Sequence, residues 1–153
     1  MKSIAMLLSL AGASVVTAGA PTFSLWTAGN IKQAATELAG KLNPQGLATQ
    51  NLADMGNYQF LVALRRQSGA AEVHQKMADI FVIETGEANL VTGGTVVNPS
   101  NLSPGEIRGT AIENGAERRV AAGDVLTIPA GMPHQMKLAP GKEVSYLVIK
   151  VAQ

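Results

Sequence analysis

The sequence predicts an all-β domain preceded by one helix, and three observations carry that expectation. Beyond Tyr58 the chain falls into short apolar runs broken by Gly, Pro, Asn and Asp. That is the rhythm of an antiparallel barrel or sandwich rather than of alternating βαβ units. Ahead of them, one stretch keeps an apolar period near 3.6 residues. The composition, 46% hydrophobic and 15% charged over 153 residues, supports a single domain with a sizeable core and excludes a disordered chain.

Residues 1–20 read as a signal peptide. Lys2 is basic, Ile4 to Val16 is an apolar run of 13 residues, and Ala18-Gly19-Ala20 offers small residues to a signal peptidase ahead of Pro21. Such a run rises only about 20 Å as a helix, short of the roughly 30 Å hydrocarbon core. The expectation is export to the periplasm or beyond, with no membrane span once the leader is removed. The competing reading is a buried N-terminal helix. The chain has 12 basic residues against 11 acidic ones, and Lys2 is one of the 12, so a chain without the leader carries no net charge. With 4% aromatic residues, neither a basic stripe nor a stacking platform for nucleic acid is expected. No cysteine is present, which excludes disulfides, thiol catalysis and thiolate ligation.

Residues 21–57 read as an N-terminal helix and a linker. Thr27 is placed to cap a helix in which Ile31, Ala34, Ala35, Leu38 and Leu42 share one face, and Asn43-Pro44 ends it. That face would pack on a sheet or on a second subunit.

Residues 58–153 read as the barrel. NYQFLVALRR forms a strand ending at the Ser68-Gly69 turn, and Glu72 to Gln75 is extended. Ile80–Ile83 and Ala88–Val91 flank Thr85-Gly86, a hairpin signal, and Gly93-Gly94 closes the second run. Asn98 to Gly105 is a loop rich in turn formers. Strands follow over Ile107–Ile112, Glu117–Val120, Val125–Ile128, His134–Leu138 and Val144–Val151.

The chemistry centres on the two histidines. His134 lies in GDVLTIPAGMPHQM, where Gly123, Pro129, Gly131 and His134 keep the spacing G-x5-P-x-G-x2-H; His74 lies in EVHQKMADIFVIETGE. These segments resemble the two motifs of the cupin superfamily, G-x5-P-x-G-x2-H-x3-N and G-x5-H-x-H-x3,4-E-x6-G. The final Asn of the former is Leu138 here. In the other motif, Glu72 stands for the leading histidine, His74 for the next, Asp79 for Glu, and Gly86 closes the spacing, while the opening Gly is absent. An alternative register makes His74 the leading histidine and Lys76 the replacement for the other, with only two residues left before Asp79.

The resemblance implies a double-stranded β-helix, or jelly roll, and a homodimer. It also implies a divalent ion held by Glu72, His74, Asp79 and His134. Alternation puts Glu72 and His74 on one strand face. Two imidazoles with two carboxylates favour Mn²⁺ or Fe²⁺, with Zn²⁺ or Ni²⁺ also accommodated. Arg66 shares parity with Phe60, Val62 and Leu64 and is the candidate anchor for an anionic substrate. Met136 and Leu138 share parity with His134 and would make that wall apolar. Serine triads and phosphate loops lack their motifs. The functions left open are a metal-dependent enzyme acting on a small organic molecule, oxygenase-type chemistry being favoured, and a metal-free barrel that binds a small ligand or serves as scaffold.

Overall fold

The structure, a computed structural model, describes residues 23–153; the signal peptide expected over residues 1–20 lies outside them. Helix α1 (Ala28–Leu38) begins at the expected cap. The Thr27 hydroxyl accepts from the Asn30 amide at 3.2 Å, and the Asn30 side chain accepts from the Thr27 amide at 3.1 Å. This reciprocal box satisfies two donors at the helix start. The helix stops before Leu42. Asn43 instead organises the chain's entry into the sheet, its Oδ1 accepting from the Gln45 and Leu47 amides at 3.0 Å each.

Twelve strands follow: β1 (Leu47–Asp54), β2 (Tyr58–Arg65), β3 (Ala71–His74), β4 (Met77–Thr92), β5 (Thr95–Val97), β6 (Ser100–Ser103), β7 (Glu106–Gly109), β8 (Ala111–Glu113), β9 (Ala116–Ala121), β10 (Val125–Ile128), β11 (His134–Lys137) and β12 (Val144–Ala152). All pairings are antiparallel. One wall runs β1-β2-β12-β4-β10 and the other β9-β4-β11-β3-β7-β6, so β4 serves both. The strands β5 and β8 form a separate ribbon. The all-β barrel with one helix is therefore present. The strand β1, however, occupies residues assigned to a linker. Among the described residues it pairs only with β2, and it buries only Ala48, so an edge position left its apolar alternation weak.

The expected hairpin at Thr85-Gly86 is instead a bulge within one continuous strand. Opposite β12 the register slips between Ser145 and Tyr146, leaving Glu84 as an extra residue. Gly86 takes φ +76°, where a Cβ would collide with the Glu143 carbonyl oxygen. The slip switches inward parity: Phe81 and Ile83 before it, Ala88 and Leu90 after it, all join one buried cluster with Tyr146, Val148, Met136 and Ile128. A bulge of this kind bends a strand from one wall into the next.

A further cluster lies outside the barrel. There Ile31, Ala34, Ala35 and Leu38 of α1 bury Val62 and Leu64 of β2 together with Ala48. Strand β2 is thus apolar on both faces, with Val62 and Leu64 under the helix and Leu61, Ala63 and Arg65 facing the barrel cavity.

Candidate metal centre

The site is assembled by strand register. In β3, Glu72 lies opposite His134 of β11 on one side and Arg108 of β7 on the other, while His74 lies opposite Glu106. Asp79 of β4 lies opposite Lys150 of β12. Cross-strand neighbours on one face stand about 4.5–5.5 Å apart at Cβ, near enough for their side chains to meet. The turn before β11 secures the arrangement: Gly131, at φ +78°, donates its amide to the His74 carbonyl at 2.8 Å. The spacing of glycine and proline ahead of His134 thus positions both histidines.

The ligand atoms of Glu72, His74 and His134 all lie within 4.8 Å of one another. From Glu72 Oε2 the two imidazole Nε2 atoms stand at 3.5 and 3.8 Å, and from Asp79 Oδ2 at 3.4 and 3.7 Å. These separations exceed ordinary hydrogen bonds. Two atoms each about 2.0–2.2 Å from a shared ion stand roughly 3–4 Å apart, which is the spacing seen. Each imidazole is oriented by its other nitrogen. His74 Nδ1 donates to Glu106 Oε2 at 2.6 Å, and His134 Nδ1 donates to the Met132 carbonyl at 3.0 Å. Such outer partners fix the tautomer and raise ligand basicity. His134 Nε2 is buried without a hydrogen-bond partner among the described residues. An unmet buried polar atom costs about 1–3 kcal/mol, and a bound ion would remove that cost, so the donor set fits a divalent metal.

The charges are strongly coupled. Burial pushes the Glu72 carboxyl up, but His74, Arg108 and His134 outweigh it and hold the group down at about 2. For His74, burial disfavours the charged ring; the Asp79 and Glu72 carboxylates prevail and raise it to about 9, against the opposing Lys150 ammonium. His134 is pushed down, chiefly by burial. Asp79 is also lowered: burial opposes this, but His74 and Lys150 overcome it. Lys150 Nζ donates to Asp79 Oδ1 at 2.7 Å and lies 3.2 Å from His74 Nε2. The ammonium therefore sits against two of the metal-ligand candidates.

No family model and no curated protein sequence matches the chain. Solved structures do match. A protein with a double-stranded β-helix domain from Klebsiella pneumoniae superposes with a TM-score of 0.56 at 13% identity, covering 87% of this chain and 90% of its own. A cupin-2 domain protein from Rhodospirillum rubrum gives 0.52 at 18% identity over 71% and 62%. The chain has the cupin fold. An oxalate oxidase also superposes on it, with 0.51 at 18% identity over 72% of this chain and 53% of the oxidase. The chain thus spans about half that enzyme's length.

Within this cupin barrel a cavity of 200 Å³ is lined by Glu72, His74 and Asp79, with Arg65, Phe81, Tyr146 and Lys150 among the other walls. A smaller pocket beside it brings in His134 and Met136. The expected apolar wall is thus supplied by Met136, whereas Leu138 packs against the barrel core. Arg66 requires a correction. Its side chain is 45% exposed and pairs with Glu143 at 2.8 Å, outside the cavity. The inward place belongs to Arg65, which is 6% exposed. Because both faces of β2 are apolar, alternation alone could not show which face lines the barrel. Lys76 is exposed in the turn after β3 and lines neither pocket, so Glu72 is the residue beside His74 at the cluster. Sequence reading missed Arg65, Glu106, Arg108, Tyr146 and Lys150. For Glu106 and Arg108 the available signal was two charges at i and i+2 around Ile107, just after a turn-rich stretch.

Proposed function

We propose that this chain is a metal-dependent enzyme that acts on a small organic substrate inside the cupin barrel, with oxygenase-type chemistry favoured. The carrying observation is the convergence of His74 Nε2 and His134 Nε2 on Glu72 Oε2, with the His134 nitrogen lacking a hydrogen-bond partner among the described residues. In this reading Glu72, His74 and His134 hold the ion and Asp79 completes the set. A divalent ion there, Mn²⁺ or Fe²⁺ before Zn²⁺ or Ni²⁺, would supply Lewis acidity or a redox centre. The protein's own part is to keep both imidazoles presented through Glu106 and Met132, to restrain Glu72 with Arg108, and to exclude water with Phe81, Val148 and Met136. Two imidazoles with one carboxylate and open positions is the donor set of non-haem Fe²⁺ oxygenases, which supports an oxidative reaction among the chemistries that one barrel can host.

A second reading, a metal-free barrel that binds a small ligand without turnover, is favoured by Lys150. Its ammonium neutralises Asp79 and touches His74, the service a metal would otherwise perform. Inductively coupled plasma mass spectrometry on protein purified without chelator or histidine tag separates the two. Near-stoichiometric metal that disappears in a His74→Ala, His134→Ala double variant supports the enzyme. Absence of metal from both proteins after incubation with Mn²⁺, Fe²⁺, Zn²⁺ and Ni²⁺ overturns it in favour of the second reading. Export, resting on the leader-like residues 1–20, and pairing of two copies through the uncovered edges of β1 or β6 complete the proposal. N-terminal sequencing and light scattering test them.

A further inference from the structure

Arg65 is buried to 6% exposure and lines the cavity that holds the metal-ligand candidates. The neighbouring cations have carboxylate partners: Arg108 has Glu72 and Glu106, and Lys150 has Asp79. Arg65 has none among the described residues, and its one side-chain hydrogen bond runs from Nε to the Tyr146 hydroxyl at 3.4 Å. Removing an uncompensated charge from water costs several kcal/mol. A protein that keeps one facing a cavity has left room for a counter-charge to arrive with a ligand.

We propose that Arg65 and Tyr146 form a carboxylate-binding subsite, which makes the substrate a small organic acid. The proposal rests on the reading that this cavity takes the substrate. A guanidinium presents parallel N–H donors that match the two oxygens of a carboxylate. With Nε on Tyr146, the Nη groups are the donors left for the ligand. The Tyr146 oxygen receives the Nε hydrogen bond, so its own O–H is free to donate to the same anion. Burial pushes that phenol above its ordinary range and keeps it a donor. Its ring is packed on Phe81 with centroids 5.1 Å apart.

The space around the guanidinium is also built. A Cβ on Gly69 would lie 2.9 Å from Arg65 Nη1 and 3.0 Å from Cζ, so an added methyl would push the guanidinium aside. Gly69 is itself held at both polar groups, its amide donating to the Met136 carbonyl and its carbonyl accepting from the Gln135 side chain, each at 2.8 Å. The cavity of 200 Å³ compares with the roughly 150 Å³ void that accommodates benzene. The acid is therefore about the size of one ring or a short dicarboxylate.

The test is isothermal titration calorimetry of metal-stripped protein with succinate and benzoate, against benzamide and inorganic phosphate. Stripping prevents the acid from simply ligating an ion. The expected result is binding of one or both acids, little binding of benzamide, and at least tenfold weaker acid binding in Arg65→Gln. Arg65→Lys should recover only part, because it restores charge without the fork. Tyr146→Phe should weaken binding about threefold, and Gly69→Ala should also weaken it by displacing the guanidinium. These two variants keep the proposal falsifiable if Arg65→Gln does not fold. Equal binding of acid and amide, tighter binding of phosphate, no acid binding at all, or variants that bind like the wild type would each overturn it. Metal content is measured separately on the same variants. Acid binding that tracks Arg65 in a protein that takes up no metal would sink the metal reading alone, and metal uptake without acid binding would sink this one alone.

Discussion

At the scale of single residues, the centre depends on partners one step away from the ligands. Glu106 accepts from His74 at 2.6 Å and also receives Arg108 at 3.3 Å. Glu106→Gln keeps an oxygen acceptor but loses the charge that makes the opposite nitrogen basic. Metal affinity should fall roughly 10- to 100-fold, the usual cost of removing such a partner, with circular dichroism unchanged. A chelator-competition titration measures it, and unaltered affinity would remove Glu106 from the site. Lys150 makes the opposite prediction. Lys150→Met takes the ammonium off Asp79, which is 2% exposed, and leaves that buried carboxylate to the His74 imidazolium 3.4 Å away; the loss should stay below the roughly 3–5 kcal/mol of a fully unpaired buried charge. Metal-free protein should melt earlier than wild type, while the ion binds more tightly because nothing competes for Asp79 and His74. Weaker metal binding in this variant would show Lys150 to be an ally of the ion.

The division between legible and illegible residues has a physical basis. His134 was readable because the turn ahead of it needs particular backbone conformations, and Gly123 and Gly131 at φ +93° and +78° leave a fixed spacing in the sequence. Arg65, Glu106, Arg108 and Lys150 owe their roles to cross-strand register. Register joins residues 71 positions apart for Asp79 and Lys150, and no local pattern records it.

At the scale of elements, the bend in β4 decides the architecture. Its punctuation at Thr85-Gly86 stands in the sequence, but a bulge and a hairpin draw on the same residues, so that signal alone does not separate a bend from a chain reversal. The length of the strand, 16 residues, emerges only when β12 pairs across the interruption. Two glycines separate backbone strain from steric fit. Both Gly86 and Gly123 have positive φ, but an added Cβ meets nothing within 4 Å among the described residues at Gly123 and strikes the Glu143 carbonyl at Gly86. Gly123→Ala should cost about 1–2 kcal/mol, the strain of a left-handed conformation alone. Gly86→Ala should cost clearly more, because β4 and β12 must also separate. Urea denaturation midpoints compare them, and equal losses would mean that the close approach at Gly86 relaxes freely.

At the scale of the whole molecule, folding should not depend on a metal, and the pH response should reveal whether one is bound. Two apolar clusters, one inside the barrel and one beneath α1, lie on separate faces of β2 and hold the walls together independently of the centre. Stripped protein should therefore stay folded and gain stability on metal addition by mass action. In the stripped protein the His74 pKa is raised from 6.5 to about 9. Its folded value lies above its unfolded one, so the stabilisation is complete below pH 6.5 and disappears as pH climbs toward 9. Glu72 behaves oppositely: lowered from 4.5 to about 2, it stabilises above pH 4.5 and ceases to do so as pH falls toward 2. Stripped protein should be most stable between those windows and lose about 1–3 kcal/mol on the alkaline side. With metal bound, His74 Nε2 carries no proton, so the alkaline loss should vanish, while the acid loss should steepen as protons displace the ion. Urea midpoints of both forms from pH 2 to 9 test this. A stripped protein whose stability is flat between pH 6.5 and 9 would show that the carboxylates do not hold a proton on His74, and Lys150 would then be the group that neutralises them.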